Sequence, residues 1–370
     1  MTEPVRHVSA PDFLRTRRRG VPLRTPRVAS AVVLATFVLA GCGVQAHTVE
    51  VPVTRPTLFP PNYTTAPTTS AAPGGSTMAS STSTTKVPRP IPAVLADGKP
   101  RAVVTSTGVV AAVDSVRADG AFVVTSPCGA AVAVSKATPI VAANVVLDPG
   151  HGGALDPGTV GPTGTKEAAV NLAVAQAAAA QLEAFGVKVV LTRTADYYST
   201  LASRARVATS LAPNAFVSIH HNGAPDHVED RPGTEVYYQA DDERSSKRLA
   251  GLIYEEVTIA LAPQKIRWGW YADAGVKARL NDQGRDYYGI LRNAAGVPSA
   301  LAELSYLTDA AEEALLKTPE FQKLEGAAVA RGILRYLTTD DPGSGFVGAS
   351  KRTDATTGGG STICVDPPLQ

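Results

Sequence analysis

Four side chains that can bind a metal ion or transfer a proton lie beside predicted strand and helix ends: His151, Glu167, His220 and Glu303. Three of them come after short apolar runs that predict buried strands, at 144–147, 215–219 and 299–302. Glu167 instead opens a predicted helix that follows a Gly-rich loop. Because the carboxyl ends of strands in an open α/β sheet meet at one edge, we expect these side chains to converge there.

His151, Glu167 and His220 match a donor set that is common in hydrolytic zinc sites, two imidazoles and one carboxylate. Zinc in such a site lowers the pKa of its bound water toward about 7 and polarises a carbonyl group. Neighbouring side chains of a strand face opposite ways, so only one of His220 and His221 can reach the ion. Glu303 is the candidate that takes the proton of the attacking water and passes it to the departing nitrogen.

Plainer explanations exist for each residue alone. A histidine in a Gly-rich turn is commonly a hydrogen-bonded loop residue, and Glu167 is favoured at a helix start by the helix dipole. Glu303 alone would also fit as the partner of an arginine. The Gly-rich loop 149–158 lies between a strand and a helix, as phosphate-binding loops do, but it lacks a Gly-Lys-Ser/Thr ending and regular dinucleotide spacing, which argues against nucleotide binding.

The order of the remaining elements predicts an α/β fold. Strand and helix patterns alternate from Ile140 to Leu337, which predicts an open mixed sheet with helices on both faces. Within it, we expect an outer strand at 235–238 and a loop at 263–287. Four short strand patterns at 101–137 predict a small β unit in front of this domain.

The chain of 370 residues divides by composition into five predicted parts. They are a lipoprotein-type signal peptide (1–41), a Thr/Ser/Pro-rich tether (42–100), the small β unit (101–139), the main domain (140–340) and a C-terminal tail (341–370). The leader carries seven Arg and two acidic residues, a net charge of +5, so its removal from the formal +2 leaves about −3. The exported chain therefore has no electrostatic footprint for nucleic acid.

The sequence offers two possible cleavage sites for the signal peptide. Leu39-Ala40-Gly41-Cys42 resembles the lipobox of bacterial lipoproteins, in which Cys42 would carry the lipid that holds the protein at the outer face of the cytoplasmic membrane. An ordinary signal peptide cut after Ala46 is the alternative. If Cys42 is lipidated, Cys128 and Cys364 are left as a pair in an oxidising compartment, and we predict a disulfide between them rather than two buried thiols.

Taken in order, the motifs resemble those of the zinc-dependent N-acetylmuramoyl-L-alanine amidases (amidase type 3). The resemblance spans about 144–337 and rests on Asp-Pro-Gly-His-Gly-Gly at 148–153, Glu167 before Val-Asn-Leu, Ser-Ile-His-His-Asn at 218–222 and Glu-Leu-Ser-Tyr-Leu-Thr at 303–308. It implies that His151, Glu167 and His220 bind zinc and that Glu303 is the catalytic carboxylate. It also implies that the substrate is peptidoglycan or muropeptides, cleaved at the amide between the muramyl lactyl group and L-alanine. Independently of the resemblance, we expect a monomer.

Two departures from the family pattern concern the site. The loop after His151 has one residue more than usual before Asp156. His221 occupies a position where the family usually has a small residue, and its imidazole could face the substrate or support a ligand. Asn222 and Arg292 lie near motif ends and are candidates for holding the substrate. The rival functions are another zinc amidohydrolase of the cell wall, such as a stem-peptide peptidase or a sugar deacetylase, and a non-catalytic wall-binding protein on the same scaffold.

Overall fold

The computed structural model describes residues 88–94, 97–352 and 363–370. The predicted signal peptide, Cys42 and most of the predicted tether lie outside the described residues. Within the described ranges, no helix is both long enough and apolar enough to cross a membrane.

The described residues form fifteen strands and six α-helices. The strands are β1 Ala102–Thr105, β2 Val110–Val116, β3 Phe122–Thr125, β4 Ala131–Val134, β5 Ala137–Ile140, β6 Val145–Pro149, β7 Val189–Leu191, β8 Ala215–Asn222, β9 His227–Glu229, β10 Glu235–Tyr238, β11 Trp268–Trp270, β12 Gly275–Lys277, β13 Arg279–Leu280, β14 Ser299–Tyr306 and β15 Ser350–Lys351. The helices are α1 Glu167–Ala184, α2 Leu201–Leu211, α3 Ser245–Leu261, α4 Gly289–Asn293, α5 Ala310–Leu316 and α6 Pro319–Thr338.

Six of these strands form the main sheet, in the order β12-β10-β14-β8-β6-β7. β7, β6, β8 and β14 run parallel, whereas β10 pairs antiparallel with β14. The predicted mixed α/β sheet is therefore confirmed. The prediction of β10 as an outer strand was wrong, because β12 from the predicted loop pairs beyond it. Only three residues long, β12 is held by a buried ion pair from Lys277 to Glu235, a long-range contact that local pattern does not reveal.

Helices cover both faces of the main sheet. Alternate side chains such as Val145 and Val217 pack with α1, α3 and α6 in one core, whereas Val146 and Phe216 pack with α2 and α4 in the other. Because strand side chains alternate, each buried strand supplies apolar residues to both cores. This explains why these strands are continuous apolar runs in the sequence.

The small β unit is a separate antiparallel sheet in the order β4-β3-β2-β1-β5. Its fifth strand, Ala137–Ile140, covers residues that the sequence pattern assigned partly to the main domain. Cys128 and Cys364 form the predicted disulfide, with their Cα atoms 5.6 Å apart. Asp366 adds to this attachment, since its carboxylate accepts hydrogen bonds from the Ser126 hydroxyl and the Cys128 backbone N–H.

The segment Pro88–Val94 packs against the amino-terminal edge of the main sheet. Asn144, directly before β6, donates a side-chain hydrogen bond to the Pro92 carbonyl at 2.8 Å. The groove around this segment is also lined by Asn214 and Pro298, which precede β8 and β14. The chain therefore joins the main domain at the edge opposite the carboxyl ends of the parallel strands.

Candidate metal centre

Strand pairing brings the candidate residues together at the carboxyl edge of the sheet. Glu303 on β14 lies opposite His220 on β8, and His151 lies two residues beyond the end of β6. β8 and β14 are longer than predicted, so His220 and Glu303 lie within strands rather than after them. The polar ends of these strands were mistaken for loop because their hydrogen bonds to neighbouring strands are not visible in composition.

The loop that carries His151 is held from behind by two buried arginines. Arg204 on α2 donates to the carbonyls of Pro149 and His151, and Arg193 donates to those of Pro149 and Gly150. These contacts hold His151 at φ 61°, a left-handed conformation that is uncommon for a residue with a side chain. Gly150 is required beside it, because a Cβ there would lie 2.2 Å from the His220 ring.

Glu167 reaches the same point from the first turn of α1. Its Oε2 accepts a hydrogen bond from the Thr159 backbone N–H at 2.8 Å, and its Oε1 accepts from the His221 backbone N–H at 3.2 Å. Asn171 Nδ2, one turn further along α1, donates to the same Oε1 at 3.1 Å. Three N–H donors therefore fix both carboxylate oxygens.

His151, Glu167 and His220 together offer three ligand atoms that lie within 4.8 Å of one another. His151 Nε2 is 3.3 Å from Glu167 Oε2, and His220 Nδ1 is 3.0 Å from Glu167 Oε1. Two imidazole nitrogens and a carboxylate are a donor set that suits zinc and similar divalent ions. The residues present therefore fit a metal ion.

Asp156 is a supporting residue that the sequence analysis missed as part of the site. Its Oδ1 lies 2.6 Å from His151 Nδ1, so the other ring nitrogen, Nε2, is turned toward Glu167. A carboxylate on the outer nitrogen fixes the tautomer of a metal-binding histidine and raises its basicity. An acidic residue five positions after the histidine was the available signal.

Glu303 lies beside this donor set but, unlike Glu167, has a carboxylate oxygen without a hydrogen bond among the described residues. This oxygen, Oε2, is buried. Burial, together with the nearby carboxylates Glu167 and Glu235, raises the pKa of Glu303 well above its usual range. A carboxyl group in this state can hold a proton near neutral pH and release it to a reacting atom.

A cavity of about 240 Å³ opens at this edge and is lined by His151, His220 and Glu303. Arg292 also lines the cavity, with its Nη1 donating to the backbone carbonyls of Asp286 and Tyr287 at 2.6 Å. Asn222 is engaged elsewhere, since its Nδ2 donates to Glu235 Oε2 at 2.5 Å. The cavity thus contains polar groups suited to binding a ligand next to the donor set. The substrate role of Asn222 and Arg292 stays a prediction.

Comparison with known proteins identifies the class. The family profile described as N-acetylmuramoyl-L-alanine amidase matches residues 145–335. The uncharacterized protein YqiI of Bacillus subtilis is 34% identical over 212 residues, which cover 57% of this chain and 90% of that protein. N-acetylmuramoyl-L-alanine amidase AmiA of Escherichia coli is 27% identical over 221 residues, 52% of this chain and 75% of that protein. The solved structure of N-acetylmuramoyl-L-alanine amidase AmiC2 of Nostoc punctiforme is 35% identical, with a TM-score of 0.43, and covers 52% of this chain and 96% of that chain.

The chain belongs to the N-acetylmuramoyl-L-alanine amidase family. It is accordingly a hydrolase of peptidoglycan amide bonds, in a family that is generally metal-dependent. Its relatives among cell-wall amidases indicate an exported protein of the cell envelope.

Proposed function

We propose that this chain uses zinc to hydrolyse the amide between N-acetylmuramic acid and L-alanine, with His151, Glu167 and His220 as the ligands. The observation that supports this most strongly is the placement of the three ligand atoms within 4.8 Å of one another beside Glu303. Zinc bound there would supply Lewis acidity toward the amide carbonyl and a lowered pKa for its water.

Glu303 is the proposed proton carrier of the reaction. As a carboxylate it accepts the proton of the attacking water, and as a carboxylic acid it delivers that proton to the amide nitrogen when the C–N bond breaks. Its raised pKa suits the second of these steps, and its unpartnered oxygen leaves an acceptor available for the first. Asp156 keeps the His151 ring turned toward the ion through the hydrogen bond at Nδ1.

Substrate is proposed to bind in the cavity beside Glu303, with Arg292 as a candidate contact in the cavity and Asn222, which does not line it, as a candidate contact beyond it. The guanidinium of Arg292 is anchored through Nη1, which orients this cation at the cavity. The signal peptide, the lipid on Cys42, the tether at 42–100 and the monomeric state belong to the same proposal. They rest on the sequence alone.

Product analysis tests the proposed activity. The protein is incubated with muropeptides, with chelator, and with chelator followed by zinc, and the products are identified by mass spectrometry. We expect a released stem peptide with a free L-alanine amine, lost with chelator and regained with zinc. Release of acetate would instead indicate a deacetylase, release of single amino acids a peptidase, and no release with intact wall binding a non-catalytic protein.

A further inference from the structure

A second polar cluster lies behind the donor set, on the opposite side of β8 from the cavity. His221 faces away from His220, as alternation along the strand requires, and points between α1 and α6. There its Nδ1 lies 2.7 Å from Asn171 Oδ1 and its Nε2 lies 3.0 Å from Glu325 Oε2. The side chains of His221 and Glu325 have no exposed surface.

The direction of each hydrogen bond in this cluster can be worked out from its neighbours. Asn171 Nδ2 faces two acceptors, the Gly150 carbonyl at 3.2 Å and Glu167 Oε1 at 3.1 Å. The amide must therefore point its nitrogen toward them and its oxygen toward His221, because the flipped amide would set oxygen against oxygen. His221 Nδ1 is then the donor to Asn171.

The other ring nitrogen completes the assignment. Glu325 Oε1 accepts a hydrogen bond from the Ser305 hydroxyl at 3.0 Å, and Oε2 faces His221 Nε2. Both ring nitrogens of His221 are therefore held by side-chain partners, Asn171 at Nδ1 and Glu325 at Nε2. A polar pair with no exposed surface costs desolvation, which an apolar pair in the same space would avoid.

We propose that the pair of His221 and Glu325 acts as a positioning device for the metal site. The pair fixes the orientation of the Asn171 amide, and the amide directs one N–H at Glu167 Oε1. With Thr159 holding Oε2, the carboxylate cannot rotate away from the two histidines. This inference rests on the proposed role of Glu167 as a ligand, and it accounts for the histidine at a position where the sequence motif usually has a small residue.

The test measures zinc affinity of the full-length protein by competition with a chromophoric chelator. His221→Leu combined with Glu325→Leu removes both polar side chains together, which avoids leaving one of them buried without its partner. Loss of partners behind a metal ligand typically weakens metal binding 10- to 100-fold, and we expect a loss of about that size here. Glu325→Gln is the conservative control, which keeps a partner at Nε2 and should retain most of the affinity.

Asn171→Ala tests the link between the pair and Glu167. Alone, Asn171→Ala should weaken zinc binding about as much as the double substitution. Added to the double substitution, it should cause no further loss of affinity, because all three changes break the same chain of contacts. The unfolding midpoint of every variant is also measured with chelator present. A merely structural role would move this midpoint and leave the zinc affinity of the folded protein unchanged, whereas the positioning role changes the affinity.

Two results would overturn the positioning role. One is wild-type zinc affinity in a folded double variant. If the double variant does not fold, wild-type zinc affinity in Asn171→Ala has the same meaning. The other is a triple variant in which the losses of zinc affinity from Asn171→Ala and from the double substitution multiply. Failure of the wild-type protein itself to bind zinc would refute the proposed metal site, and with it the role of the pair.

Discussion

Glu167 and Glu303 are the same residue type at the same edge of the sheet, yet their surroundings differ. Glu167 accepts hydrogen bonds from three N–H groups, whereas Glu303 Oε2 is buried with no hydrogen-bond partner among the described residues. Burial opposes ionisation of both. The charge of His151 and hydrogen bonds from the His151 and His220 rings nevertheless hold the pKa of Glu167 well below its usual range.

For Glu303, burial and the neighbouring carboxylates act in one direction and raise its pKa. Environments that separate the pKa values of two acids in this way also separate their roles. A permanently ionised, immobilised carboxylate suits a metal ligand, and a carboxyl group that can gain and lose a proton suits acid–base catalysis. The difference lies in what surrounds each side chain.

Removing the charge of Glu167 should have the largest effect. Glu167→Gln keeps an oxygen near the histidines but removes the anionic ligand, so we expect zinc affinity to fall by more than the roughly 100-fold typical of supporting residues, with activity lost in parallel. Metal titration followed by assay on muropeptides measures both. Glu183→Gln, an exposed position on the same helix, is the matched control. Full zinc affinity in Glu167→Gln would remove this residue from the ligand set.

Glu303→Gln should separate catalysis from metal binding. The amide cannot transfer the proton, so we expect kcat to fall about 10²- to 10⁴-fold. Zinc content should stay at the wild-type level, because Glu303 is not a proposed ligand. Unchanged turnover, or loss of zinc together with turnover, would contradict the division of roles between the two glutamates.

Asp156→Asn should have an intermediate effect on metal binding. Its carboxylate hydrogen-bonds to the outer nitrogen of His151 and is not part of the proposed ligand set, so we expect zinc to bind about 10- to 100-fold more weakly. Asp196→Asn is the control in the neighbouring loop, since Asp196 accepts from the Gly153 backbone N–H and does not contact the ring. Equal zinc affinities of the two variants would mean that Asp156 does not orient His151.

Replacing the disulfide should leave the chemistry intact. Cys128→Ser with Cys364→Ser opens a link across 236 residues, and loss of a native disulfide typically lowers the free energy of unfolding by about 2–5 kcal/mol. We expect kcat and zinc affinity to be unchanged, because neither cysteine lies at the cavity. Denaturant unfolding and assay of the folded variant test this, and a fall in kcat would connect the β unit to catalysis.

The sequence predicted the parts of the site that local pattern encodes. Apolar runs located β6, β8 and β14, and the residues at their ends gave three of the four candidate side chains. Strand alternation also predicted that His220 and His221 face opposite sides, which the structure confirms by placing only His220 at the cavity.

Contacts between distant residues were not predictable in this way. Asp156, Arg204 and Glu325 act on the site through hydrogen bonds that depend on loop course and helix packing. Buried charged residues look like surface residues in a single sequence, because their type is the same and only their partners differ. The strand β12 was missed for a related reason, since a partner elsewhere in the chain stabilises it.

The attachment of Pro88–Val94 at the amino-terminal edge has a practical and a biological consequence. The segment does not border the cavity, because the two lie at opposite ends of the parallel strands. Fixing the protein to a surface through residues before 88 should therefore leave hydrolysis unhindered. A cell that holds the enzyme by its amino-terminal side would present the cavity outward, toward peptidoglycan.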